Sequence, residues 1–179
     1  MAEFKRKTNV RFVEREDETQ YIHIEPETKC SSVVGKSVRN VSQVLISEGC
    51  YELGTILHEL MHVLGFVHEQ NRPDRDEFIR VVWDNIQEGA KKNFQKFSPD
   101  VVTTLGSEYD YNSLMHYDAN AFAINSSLPT LVPLRANTTL GNREGFSEKD
   151  LIRINTLYNC SSTAEMSEEP IVDKSLDRR

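Results

Sequence analysis

His58-Glu-Leu-Met-His62-Val-Leu-Gly65-Phe-Val-His68-Glu69 is the stretch whose reading decides this chain. Apolar residues recur at Leu53, Ile56, Leu57, Leu60, Met61 and Leu64, the stripe of an amphipathic helix. On that helix His58 and His62 stand one turn apart on a shared face, so both imidazoles can reach one ion. Glu59 borders the same face, about 100° round from His58, along with Thr55. His68 needs another argument. Six residues beyond His62, continued helix would put it about 9 Å up the axis and about 240° round, facing away from the ion. It can join the other two only if the chain leaves the helix and doubles back. Gly65 sits where that break is required, because glycine adopts left-handed helix-ending conformations freely. Three histidines then fill three corners of a tetrahedron. The fourth stays open for water, the mark of a catalytic rather than a structural metal site.

Outward from this segment, Val10-Arg-Phe-Val-Glu14 and Tyr21-Ile-His-Ile-Glu25 alternate with period two and are expected to be strands. His23 falls in the second and reads as a half-exposed strand histidine. Ser42 to Ser47 is a third strand candidate, and Phe78 to Trp83 a fourth, followed by a polar helix candidate from Asn85 to Phe97. Ser147-Glu-Lys-Asp150 has the form of a capping box opening a helix through Tyr158. Residues 161–179, rich in Ser, Glu and Asp, have little to bury and are expected to be a disordered acidic tail.

At 179 residues, with 38% hydrophobic and 27% charged, the chain can bury a core of one domain or two small lobes. Its 21 Lys and Arg against 28 Asp and Glu leave a net charge of −7, the wrong balance for a nucleic-acid partner. No run approaches the roughly 18 apolar residues of a membrane span. The opening Met1-Ala-Glu-Phe-Lys-Arg-Lys has no apolar secretory region. Yet N-x-[ST] sequons at Asn40, Asn125, Asn137 and Asn159 point to an extracellular setting. The reconciling expectation is that a targeting segment preceded this chain. Three cysteines, Cys30, Cys50 and Cys160, include no CxxC pair, which excludes a four-thiolate zinc knuckle or a thioredoxin-type centre.

The run HELMHVLGFVHEQNRPDRD, with Ser113-Leu-Met115-His116-Tyr117 downstream, resembles the astacin family of zinc endopeptidases within the metzincins. Weaker agreement extends from about Thr8 to Cys160 and includes the Cys30 to Cys50 spacing, Tyr109-Asp-Tyr111 and Leu157-Tyr-Asn-Cys160. The resemblance implies one Zn2+ on His58, His62 and His68, with Glu59 as general base. It implies Met115 as an apolar floor under the metal, and Tyr117 as a tyrosine that leaves the metal to hydrogen-bond the transition state. His116 is not counted as a ligand, and Glu69 would anchor a mature N-terminus. The implied fold is α+β in two lobes, a twisted sheet with the zinc helix and a less regular lobe after His68, with the active-site cleft between them.

Residues 1–160 would form this peptidase domain, with the family's first strand and helix missing before Val10. The family's usual cysteine near position 9 is replaced by Asn9, which leaves Cys160 without its usual partner and Cys30–Cys50 as the implied disulfide. The implied function is a secreted endopeptidase for protein or peptide substrates, with Ser42 to Ser47 as the sheet edge that receives them. Lys36 and Arg143 are candidate cations for a pocket just past the scissile bond. The alternative is a truncated, catalytically impaired domain that binds zinc or a partner. Retention of Glu59 favours the enzyme, since zinc binding needs only the histidines.

Overall fold

The computed structural model describes residues 1–159 and the strand Val172–Asp173. It is α+β and divides into two compact units, Met1–Phe66 with the chain from Asp150 onward, and Val67–Lys149.

In the first unit the second alternating segment becomes strand β1 (Tyr21–Pro26) and the Ser42 to Ser47 candidate lies in β3 (Val41–Ile46), the two paired in parallel with Ile22 opposite Ser42 and Ile24 opposite Val44. The short β2 (Ser31–Ser32) lies antiparallel to β3, and Val172–Asp173, the last strand, runs parallel to β1 at Ile22 and His23. The resulting order, with β3 and β1 inside, corrects one expectation: the segment from Ser42 to Ser47 is not the sheet edge. It has hydrogen-bonded neighbours on both sides, and the edge on that side is β2. The Cys30–Cys50 disulfide spans a Cα–Cα distance of 6.3 Å. Its sulfurs join Ile22, Val44, Ile46 and Val63 in an apolar core.

Helix α1 (Ala2–Lys7), which no sequence pattern marked, buries Phe4 edge-on against Phe12, with ring centroids 5.1 Å apart. The strand expected at Val10–Glu14 does not form, apart from a single bridge residue at Glu14. Side chains take the backbone groups that a ladder would use. Thr8 Oγ1 donates to the Phe4 carbonyl and accepts from Val10 N–H at 3.1 Å, while the Arg11 guanidinium donates to the carbonyls of Thr8 and Val10. Helix α2 (Leu53–Val63) buries Leu57, Leu60, Met61 and Val63 and packs on β2 and β3, although Leu53 at its first turn is exposed. Helix α3 (Glu148–Leu157) returns to this unit and fastens it. Asn155 Oδ1 accepts Asn9 N–H at 2.8 Å, and the Tyr158 hydroxyl donates to the Leu64 carbonyl at 2.9 Å. Cys160 and most of the 161–179 tail lie outside the described residues.

The second unit has a single small ladder, β4 (Ile79–Val81) antiparallel to β5 (Leu131–Pro133), over a core of Ile79, Ile86, Phe94, Tyr109 and Leu131. The helix expected from Asn85 to Phe97 is only a 3-10 segment, Glu88–Phe94. Its last carbonyls are captured from outside. Asn71 Nδ2 donates to the carbonyls of Asn93 and Gln95, and Arg75 Nη1 to that of Phe94 at 2.7 Å. These bonds tie the end of the segment to Asn71 and Arg75.

Candidate metal centre

Helix α2 stops as the sequence requires. Gly65 takes a φ of +96°, its N–H donates to the His62 carbonyl at 2.8 Å, and Phe66 N–H reaches back to the Met61 carbonyl at 3.1 Å. This pair of bonds is the Schellman ending, which satisfies the last carbonyls while turning the chain out of the helix. His58 and His62 lie edge to face on α2, ring centroids 4.6 Å apart, and both are buried. After the turn His68 is extended, with φ −63° and ψ 142°, which brings it to the same place. One ligand atom from each of His58, His62 and His68 lies within 4.8 Å of the other two.

The donor set fits zinc. Three imidazoles supply borderline nitrogen ligands and leave a coordination position for water. His62 is also preset for the task. Its Nδ1 lies 2.8 Å from the Phe66 carbonyl, so this nitrogen carries the proton and Nε2 is left as the lone-pair donor. Burial pushes the His62 pKa down, which favours the neutral form that can ligate.

Glu59 is buried on α2 beside His58, and its Oε2 accepts the hydroxyl of Ser32 at 2.7 Å. No motif in the sequence singles out Ser32. The only signal is its place, two residues after Cys30 in a segment matched through its cysteine spacing.

Tyr117 packs its ring on His68, centroids 4.5 Å apart. Its backbone is clamped at both ends. Tyr117 N–H donates to Gln70 Oε1 at 3.2 Å, and its carbonyl accepts His116 Nδ1–H at 2.7 Å. The opposite nitrogen of His116, Nε2, accepts the Tyr109 hydroxyl at 2.7 Å. Burial holds Tyr109 protonated by pushing its pKa far up, and holds His116 neutral by pushing its pKa down to about 4. Donor and acceptor assignments along Tyr109, His116 and Tyr117 are therefore mutually consistent. Met115 is buried within the turn that precedes Tyr117, and its carbonyl accepts Glu69 N–H at 3.0 Å. Arg143, a candidate pocket cation, donates through Nη1 to the carbonyls of Leu114 and His116 and so braces that turn. Lys36 is exposed.

The rest of the long motif builds the second unit's framework. Glu69 Oε1 accepts Asp110 N–H at 2.8 Å and Arg72 Nη1 at 3.2 Å, while Arg72 also grips Asp74 and the carbonyls of Ser107 and Glu108. Gln70 is completely buried. These polar side chains satisfy backbone groups in a unit that has little regular secondary structure to do so.

The profile of the astacin peptidase family matches residues 1–159. Zinc metalloproteinase nas-13 of Caenorhabditis elegans is 43% identical over 161 residues, covering 89% of this chain and 35% of that protein. Meprin A subunit beta of Homo sapiens is 39% identical over 162 residues, covering 89% of this chain and 23% of that protein. The chain thus spans about a third or less of the length of these curated relatives. Among solved structures, high choriolytic enzyme 1, a hatching enzyme zinc-protease from Oryzias latipes, superposes with a TM-score of 0.83 at 40% identity. That match covers 88% of this chain and 78% of the other.

Proposed function

The chain belongs to the astacin peptidase family, and from that premise we propose that it is a zinc-dependent endopeptidase domain acting on protein and peptide substrates. The observation that carries this reading is the convergence of three imidazoles on one point, with the Glu59 carboxylate on the same helix. His58, His62 and His68 would hold one zinc ion, the metal named for this chain's relatives. Bound there, zinc lowers the pKa of a water toward neutrality and polarises the scissile carbonyl.

The chain's own groups do the rest. Glu59 takes the proton of the attacking water and later delivers it to the leaving nitrogen. The Tyr117 hydroxyl donates to the oxygen that gains charge, and its clamped backbone keeps the ring beside His68. Met115, in the turn tied to Glu69, supports the ligands from beneath. The Glu69 carboxylate serves to hold Asp110 and Arg72 in place, a contact that also suits the anchoring of a mature N-terminus. An extended substrate adds its backbone at β2, the exposed edge of the sheet. Residues 1–160 constitute the peptidase domain, and Val172–Asp173 adds a strand to its sheet beside β1.

A secreted setting accounts for two further observations: the Cys30–Cys50 disulfide and the exposure of all four sequon asparagines, Asn40, Asn125, Asn137 and Asn159. Among the described residues no helix is long and apolar enough to cross a membrane.

The test is removal and return of the metal. Chelation should abolish cleavage of a quenched peptide library, and one equivalent of zinc should restore it. Under the same assay Tyr117→Phe should keep its zinc and lose about 10²-fold in kcat. Cleavage that persists undiminished in zinc-free protein would overturn the reading.

A further inference from the structure

Ser32 is the second residue of the edge strand β2, paired with Val44 of β3. Its hydroxyl makes two contacts with one residue of α2: Glu59 Oε2 at 2.7 Å and the Glu59 backbone carbonyl at 2.9 Å. A serine hydroxyl has one hydrogen and both of these atoms are acceptors, so the proton is shared between them or alternates. A glutamate side chain with three rotatable bonds is thereby fixed near its far end, against a sheet strand rather than against its own helix. A free carboxylate on a helix surface samples several rotamers, whereas proton transfer needs one geometry within hydrogen-bond reach of the water.

We propose that Ser32 is a positioning residue for the general base: its hydroxyl holds the Glu59 carboxylate, through Oε2, in the orientation that accepts the proton of the attacking water. The inference rests on Glu59 being the base. The Ser32 hydroxyl touches neither metal nor substrate in this role, the substrate pairing only with the β2 backbone. Its contribution is to the fraction of enzyme molecules in which the base is aimed, so it acts on kcat and not on zinc affinity. The second acceptor gives the hydroxyl somewhere to go. When Glu59 holds the transferred proton, the Ser32 hydroxyl can turn to the Glu59 carbonyl without losing a hydrogen bond, and then return.

The experiment compares Ser32→Thr with Ser32→Val, two β-branched side chains of nearly equal shape, both suited to a strand, that differ in the hydroxyl. The threonine variant should keep most of the parent's kcat. The valine variant should lose about 10- to 100-fold in kcat, the worth of a hydrogen bond to a charged group, with KM and zinc content unchanged. Crystal structures should show the Glu59 carboxylate in place with threonine and displaced with valine. In a Glu59→Gln background the same valine substitution should cost little more, because the base it positions is already gone. Should valine disturb folding, Ser32→Ala must reproduce its kinetic loss. Equal kcat in the threonine and valine variants, or in the parent and Ser32→Ala, would overturn the proposal. So would an equal loss in both Glu59 backgrounds, which would mark the serine as merely structural. If Glu59→Gln itself cleaves like the parent, it is the assignment of Glu59 as the base that fails, and the two failures are told apart.

Discussion

His116 is completely buried, with both ring nitrogens committed, one to the Tyr117 carbonyl and one to the Tyr109 hydroxyl. Burial strips a protonated ring of its solvation by more than the Tyr117 carbonyl and the nearby Asp110 carboxylate return, which is why its pKa sits at about 4 against 6.5 for a free imidazole. The consequence for stability has a definite sign. Below pH 6.5 the unfolded chain binds this proton and the folded chain does not, so folding loses ground as pH falls from 6.5 to about 4. Above that window the contribution is complete and flat. Its full size is about 3 kcal/mol, since each tenfold difference in proton affinity between the folded and unfolded chain is worth about 1.4 kcal/mol. Urea unfolding from pH 4 to 8 should therefore show a steeper acid decline in the parent than in His116→Gln, which retains a donor and an acceptor but does not titrate. Parallel declines would mean that His116 is not held neutral. In the sequence this histidine stands beside the tyrosine of the turn, with nothing to announce its role. Its partner Tyr109 lies seven residues away, and no local spacing marks a buried tyrosine–histidine pair.

The end of α2 is the element on which the metal centre depends. Gly65 has φ +96°, and a Cβ built there would meet nothing within 4 Å. Gly65→Ala therefore introduces backbone strain without a clash, and should cost about 1–2 kcal/mol of stability. Because His68 follows the turn, zinc affinity should fall as well, by about tenfold or more, as measured by competition with a chromogenic chelator. An alanine variant with unchanged affinity and melting temperature would show that the turn does not need its left-handed residue. This turn was legible because two constraints met in one segment: histidine spacing that demands a reversal, and a glycine where the reversal must occur. Strand β1 was legible from alternation and β3 from its β-like run, and their interior placement followed only from the pairing with β2 and the last strand. Two segments depart from their sequence patterns for a shared reason. At Val10–Glu14 the side chains of Thr8 and Arg11 take the backbone hydrogen bonds, and at Glu88–Phe94 those of Asn71 and Arg75 do. Periodicity reports which faces are apolar. It does not report which distant side chain will claim a carbonyl.

For the molecule as a whole, family membership was legible in one motif and one turn, but the means of stabilising two very different units was not. The first unit relies on a sheet, three helices and a disulfide. The second relies on Glu69, Gln70, Asn71, Arg72 and Arg75, the residues of the long motif that hold backbone groups rather than chemistry. Cys30–Cys50 closes a sequence separation of 20 residues, so replacing both cysteines by serine should cost about 3 kcal/mol in the chain-entropy description. Differential scanning calorimetry with saturating zinc checks this. An unchanged melting temperature would show that β3 and α2 hold the segment without the cross-link.

The central claim is that three histidines hold the metal while Glu59 moves the proton, and Glu59→Gln separates the two. Glutamine keeps the size and helix preference of glutamate, touches none of the three imidazoles, and cannot act as the base. Zinc content and single-peptide kcat, measured on the same preparations of parent and variant, decide it. The account predicts close to one zinc per chain in both, with kcat lower in the variant by about 10²- to 10⁴-fold. A variant that cleaves as fast as the parent, or a zinc-loaded and folded parent that cleaves nothing, would contradict it.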